Sequence, residues 1–463
     1  MKRIVLTLVF LTAASVLVLA GATAALGAAQ DDLVIDRTVL AGDPAAAHGI
    51  ALTAWLSGRE RTEFWKSTLD LGEGTHETEF SHHIFALDIP RSPFADAEIR
   101  TAGTNFGSYG RHETSDAQRL DLMLRPALDI GERTAAGEKR TETVSLADYY
   151  DYYPMELSVR MLTEDGTNFF YSSEDAEDRA FTRAFQIPVP EDHLVEVSVL
   201  KDLSGNITEV HSSDVGGWTG WYWQGAVDLR GVYVYLPLAE ISEMDGAADG
   251  IWFIPLSMAD ENGIPEMSVD IEKKRIFYPV TIAQNQVLGV ELRGEDQLLL
   301  FTRENDVLVL TVLSRADGRV LQRIETVSCA AEEPWRQCHQ GEDFLFLFCG
   351  GDFMVLEERD GLYAPALREI YEYPERLLPG WRDMGEEDIL WDGERLVIAH
   401  SGGGTDRSHL GLELLVEVYG EEGLLYAGHY ENSVGQDASA VASRAYYRDS
   451  EEGNALCLRL AKE

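Results

Sequence analysis

Residues 296–328, DQLLLFTRENDVLVLTVLSRADGRVLQRIETVS, decide the fold class. Three short apolar and β-branched runs are legible there, 298–302, 307–314 and 320–327. Glu304-Asn305-Asp306 and Ala316-Asp317-Gly318 separate them. Asn, Asp and Gly adopt the backbone angles of tight turns at low cost, and Asp-Gly is a strong hairpin signal. Apolar residues at spacing three and four are scarce, so the stretch reads as strands joined by turns.

The same unit returns at 343–370, DFLFLFCGGDFMVLEERDGLYAPALREI. It returns again at 394–431, which opens ERLVIAHSGGG and closes LELLVEVYGEEGLLYAGHYE. A glycine after an acidic residue marks each copy, at Gly318, Gly361 and Gly423. Weaker fragments surround Gly166 and Gly205. Antiparallel meanders recurring about every 40–45 residues are the pattern of a β-propeller blade. One blade cannot cover its own apolar faces, so blades stack. In period and turn chemistry the chain resembles divergent β-propellers, without a WD dipeptide or a kelch double glycine. The pattern is strongest over 286–463. Runs such as LLLF and FLFLF predict strands buried on both faces.

The expected organisation has three parts: an N-terminal signal or anchor helix over 1–29, a β region over 30–148, and a propeller-like domain over 149–463. The middle part reads as a first blade or a separate β-domain, with 111–148 a long polar excursion. Its opening strands flank Gly42-Asp43-Pro44. This opening resembles uncharacterised secreted or membrane-anchored, β-propeller-like proteins of Gram-positive bacteria, a resemblance that implies no activity.

Lys2 and Arg3 precede an uncharged run from Ile4 to Ala29. A basic start, an apolar stretch and small residues near its end make an export signal. The run is also long enough to cross a bilayer of about 30 Å if retained. Either way the remainder is expected to be extracytoplasmic, secreted or anchored by this segment alone, since no later run has about 18 consecutive apolar residues. The 463-residue chain carries 80 Asp plus Glu against 38 Lys plus Arg, a net charge of −42. Such a surface repels phosphate backbones, so nucleic acid is excluded as a partner class. The four cysteines are Cys329, Cys338, Cys349 and Cys457. Cys329 and Cys338 flank a polar loop and are a candidate disulfide pair, with buried free thiols as the alternative for all four. Cys349 and Cys457 lie in strand-like runs as buried thiols.

Catalytic signals are sparse. Ser401 follows an apolar run and precedes three glycines, which raises the question of a nucleophile elbow. The first glycine of G-x-S-x-G is absent, and a strand pattern follows where a helix is required. Ser401, with His400 and Asp406, therefore reads as an enlarged loop between two blade strands and a candidate contact site. The densest aromatic segment, GGWTGWYWQG, contains Trp218, Trp221 and Trp223. As a strand it sets Trp221 and Trp223 on one face and Tyr222 on the other. These tryptophans are ligand-binding candidates, with packing between blades as the alternative use. No metal site is assigned. His76, His82 and His83 lack a ligand spacing, and in MADENGIPEMSVD neither end position of a calcium loop supplies an oxygen. Cofactors are expected to be absent, a structural calcium being the one weighed against this.

The expected function is a non-enzymatic binding or interaction protein of the cell envelope, with a protein or glycan ligand. An extracytoplasmic hydrolase or lyase acting on glycan or peptide is the rival reading, and a membrane-anchored envelope sensor a third.

Overall fold

The computed structural model describes residues 12, 14–18, 21, 34–57, 63–82, 94–101, 108–109, 123–163, 167–172, 180–215, 221–261, 264–281, 286–330, 335–379, 382–403, 413–432 and 456–460. Thr12, Ala14–Val18 and Gly21 are helical. Among the described residues no helix is long and apolar enough to cross a membrane.

The fold is all-β and propeller-like, built from antiparallel meanders. The quoted stretch forms Gln297–Glu304, Val307–Ser314 and Val320–Ser328, and Val287–Arg293 adds a fourth strand in front. The next meander is Trp335–Gln340, Phe344–Cys349, Asp352–Arg359 and Leu362–Ile370. The third is Arg382–Trp391, Leu396–Gly403, Glu413–Gly420 and Gly423–Asn432. Inner strands are buried on both faces: every residue of Phe344–Cys349 is buried, as are Leu298 to Phe301. Each such Leu or Phe contributes about 1.5–3 kcal/mol by leaving water. The turns follow their chemistry. Asn305 and Asp306 have φ of 51° and 61°, and Asp360 and Gly361 have 55° and 75°. Two successive positive φ values make the hairpin turn whose twist matches the strands it joins.

The chain divides into two compact units, Met1–Ser92 with Val327–Glu463, and Pro93–Thr326. The boundary expected near residue 148 is therefore not where the contacts divide. Pairing between the chain's ends is the reason. Ile35–Gly42 adds to the third meander as a fifth strand beside Gly423–Asn432. Leu456–Leu460 pairs with Ile50–Ser57, which continues through Glu63–Asp70 to Thr75–His82. One core lies between these two sheets and includes Ile50, Leu52, Leu69, Val397, Val416 and Tyr426.

The disulfide also differs from expectation: Cys329 bonds Cys349, with Cα atoms 5.3 Å apart. Trp335–Gln340 pairs antiparallel with Phe344–Cys349, placing Trp335 opposite Cys349. The chain entering that strand is thereby returned to Cys349, while Cys338 is carried away along the edge strand.

In the unit Pro93–Thr326, the 13-residue strand Asp249–Glu261 holds together a large sheet that includes Phe94–Thr101, Met155–Leu162, Asn168–Ser172, Tyr222–Asp228, Gly231–Pro237 and Ile264–Val269. Its edges, Asn168–Ser172 and Ile264–Val269, lie against each other, so the sheet nearly closes into a barrel. Ile99, Leu157, Val159, Trp223, Val232 and Ile254 share one core with Ala127 and Ile130 of the helix Leu124–Glu132. That helix lies inside the stretch read as a polar excursion. With Lys139–Ser145 it covers part of that stretch, and 111–122 lie outside the described residues.

His193 is buried in the same unit, its Nδ1 2.8 Å from the Tyr153 hydroxyl and its Nε2 3.7 Å from Asp214 Oδ1. Burial lowers its pKa below 6.5, against the pull of Asp214 and Asp192. The unfolded chain thus binds the proton more readily. Stability from this group is complete above about pH 6.5 and is lost as the pH falls below it. The midpoint of thermal unfolding should drop as the pH falls below about 6.5, and His193→Gln, which cannot titrate there, should flatten that part of the profile. Parallel profiles for the two proteins would contradict the assignment.

Candidate ligand-binding face

The outward face of the large sheet is assembled by simple alternation. In FADAEIRT, Ala97 and Ile99 point into the core, and Asp96, Glu98 and Arg100 point away from it. In MELSVRML, Leu157, Val159 and Met161 are inward, and Glu156, Ser158 and Arg160 outward. In YWQGAVD, Trp223 and Val227 are inward, and Tyr222 and Gln224 outward. Register then aligns these residues in rows. Tyr222 lies beside Arg100, and Arg100 beside Glu156. Gln224 lies beside Glu98, and Glu98 beside Ser158. Asp96 lies beside Arg160, and Arg160 beside Phe170.

Two aromatic rings stand open on this face. Tyr222 is 56% exposed and Phe170 61%. Between them runs a fixed polar network. Arg100 Nε donates to Glu156 Oε2 at 3.0 Å, and Glu156 is itself buried. Arg160 Nη2 donates to Asp96 Oδ2 at 2.6 Å and stands 4.0 Å from Glu98 Oε1. The Tyr222 hydroxyl donates to Glu98 Oε1 at 3.3 Å. Burial of the phenol, then the Glu98 carboxylate, raise its pKa, so it stays a neutral donor. An exposed pair such as Arg160–Asp96 contributes about 0–1 kcal/mol to stability. The larger effect of the network is to hold donors and acceptors in place. Among the described residues the face carries no histidine or cysteine.

Farther along, the same side of the sheet is covered. Tyr233, Tyr235 and Ile251 pack with Leu298, Leu300 and Leu313 of the first meander. The open part is thus a polar shelf beside a packed apolar one.

The residues singled out in the sequence lie elsewhere. Trp221 and Trp223 stack on each other, with ring centroids 5.7 Å apart and planes 5° apart, and both pack into the core. They take the packing role, and among the segment's described residues the exposed ring is Tyr222. Trp218 and Asp406 lie outside the described residues. His400 and Ser401 are each 1% exposed and belong to the strand Leu396–Gly403, so Ser401 is a strand residue where a loop was expected. As consecutive strand residues they point to opposite faces, which separates serine from imidazole. His400 Nε2 is 3.1 Å from the Tyr371 hydroxyl and 3.5 Å from Glu417 Oε2, and the Tyr419 hydroxyl donates to Glu417 at 3.3 Å. All four residues of this cluster are buried, which makes it a polar brace within the core. Asp260 lies within the strand Asp249–Glu261, and Asn262 and Gly263 lie outside the described residues.

The outward set Tyr222, Glu98, Arg100, Glu156, Arg160 and Phe170 was missed as a group. Its alternation is readable in each segment, but nothing local says that these strands are neighbours.

No protein-family model matches the chain, and no curated protein matches it. Among solved structures it is similar to a protein from Lactobacillus plantarum, over 81% of this chain and 80% of that one, at 10% identity and a TM-score of 0.24.

Proposed function

We propose that this chain is an exported cell-envelope binding protein that takes a glycan chain across the open sheet face. The observation that carries this reading is the pairing of two exposed rings, Tyr222 and Phe170, with a fixed network of Arg100, Arg160, Glu98 and Glu156. Aromatic faces stack on the apolar faces of sugar rings, and held carboxylates and guanidinium groups meet their hydroxyls. The carboxylates on the face are engaged by arginine or tyrosine, an arrangement suited to holding a ligand more than to moving protons. Export is supported by the basic and apolar start of the chain and by the Cys329–Cys349 bond, which suits an oxidising compartment.

Titration of soluble cell-wall oligosaccharides into the purified chain tests the reading. Tyr222→Ala and Phe170→Ala should each weaken binding about tenfold, which corresponds to about 1.4 kcal/mol. Tyr222→Phe, which keeps the ring, should lose less. Binding that ignores both alanine variants would overturn the assignment of the face, and release of reducing ends would move the reading to a hydrolase. Fractionation of producing cells separates a secreted form from an anchored one.

A further inference from the structure

The sheet in which Ile35–Gly42 pairs with Gly423–Asn432 brings together a second polar set. Its strands run in the order Ile35–Gly42, Gly423–Asn432, Glu413–Gly420, Leu396–Gly403 and Arg382–Trp391. Asp36 stands opposite Glu431. Leu414 stands opposite Tyr430, so one step further along the ladder Glu413 faces Glu431. Three carboxylates therefore sit side by side on three neighbouring strands. Like charges directly opposite one another destabilise a sheet, and a chain of net charge −42 adds to that repulsion.

His429 lies two residues before Glu431 and so on the same face. It is 6% exposed, whereas Glu413 is half-buried and Glu431 and Asp36 are exposed. Its Nε2 is 2.9 Å from Glu413 Oε2 and its Nδ1 3.9 Å from Glu431 Oε1. One ligand atom from each of Glu413, His429 and Glu431 lies within 4.8 Å of the other two. Among the described residues, the ion pairs of Glu413 and Glu431 run to His429.

We infer that Glu413, His429 and Glu431 bind one divalent transition-metal cation of the zinc or manganese class. The ligand chemistry selects the ion. One imidazole with two carboxylates suits zinc and manganese, while calcium and magnesium prefer sets made of oxygen alone. Zinc bonds of about 2.0–2.2 Å require the ligand atoms to draw closer than they now stand. His429 is held by its burial, and the exposed Glu431 side chain is free to swing inward. Two strands supply the ligands, and Asp36 on the third adds a carboxylate beside the ion. A bound cation replaces the repulsion across this row with attraction, at the point where the first described strand meets the last meander. It ties the chain's ends together.

The test is calorimetric titration of Zn²⁺ and of Ca²⁺ into tag-free, chelator-treated full chain, with thermal unfolding measured in parallel. One Zn²⁺ should bind, raise the unfolding midpoint, and outcompete Ca²⁺. Glu413→Gln and Glu431→Gln should each reduce Zn²⁺ affinity at least tenfold while circular dichroism stays that of the parent. Glu422→Gln, on the turn of the same hairpin, should leave affinity unchanged. His429→Gln should abolish binding, but its burial makes the two glutamine variants at positions 413 and 431 the deciding ones. Unchanged Zn²⁺ affinity in both, or tighter binding of Ca²⁺ than of Zn²⁺, overturns the proposal.

Discussion

Replacing Arg315 with alanine is expected to destabilise the chain by about 3–5 kcal/mol, the cost of breaking a buried ion pair. Arg315 follows the third strand of the first meander, and its side chain is 2% exposed. The guanidinium donates to Asp228, to the Glu295 carbonyl at 3.0 Å and to the Gly294 carbonyl at 3.4 Å. Its Cζ lies 5.3 Å from the centre of the Tyr233 ring. Asp228 also caps its own turn by accepting from the Arg230 and Gly231 amides. One side chain therefore links the turn at Asp228 to the first meander. Alanine removes the guanidinium from the Asp228 carboxylate and from the Gly294 and Glu295 carbonyls, leaving Asp228 only its turn amides and Glu295 only Arg230 Nη2, and opens a void beneath Tyr233. Arg315→Lys should recover less than half of the loss, because an ammonium cannot reproduce the planar fork. Urea denaturation of the full chain measures both effects. A loss under about 1 kcal/mol would show that Arg315 is solvated and dispensable, below the range for a buried pair.

The second large effect is expected from the disulfide. Cys329→Ala with Cys349→Ala should cost about 3 kcal/mol, because a link across 20 positions restricts the unfolded chain. Both half-cystines are fully buried, so reduction in the folded state should be slow. Cys338→Ser should leave stability and the bond intact. Mapping of non-reduced peptides separates the pairings directly: a linked peptide containing Cys338 would contradict the structure. Urea denaturation under reducing conditions should bring the parent chain to the midpoint of the double variant.

The strands of the three C-terminal meanders were legible because their signals are local. Leu298 to Phe301 and Phe344 to Phe348 read as doubly buried strands, and they are. Asp360-Gly361 read as a hairpin turn, and both residues have positive φ. The missed helix Leu124–Glu132 carries Pro126 in its first turn, and the face it buries, Pro126, Ala127, Ile130 and Gly131, holds only one large aliphatic side chain. Proline, alanine and glycine make a weak apolar stripe among charged neighbours. The aromatic segment was legible in its alternation and ambiguous in its facing. Trp221 and Trp223 serve equally well, on sequence alone, as a platform or as packing. Only the core around Ile99, Leu157 and Val232 shows which side of the strand is inside.

By itself, then, the sequence determined strand identity, the turn chemistry and the antiparallel meander, because each depends on residues a few positions apart. Tertiary structure alone decided which strands are neighbours. Ile35–Gly42 finds Gly423–Asn432, Cys329 finds Cys349, Tyr222 finds Arg100, and Glu413 meets His429 and Glu431. The physical reason is that period-two alternation assigns a side chain to a face without naming the strand beside it. That neighbour is chosen by how whole apolar faces bury against one another, against the entropy of closing the loops between them.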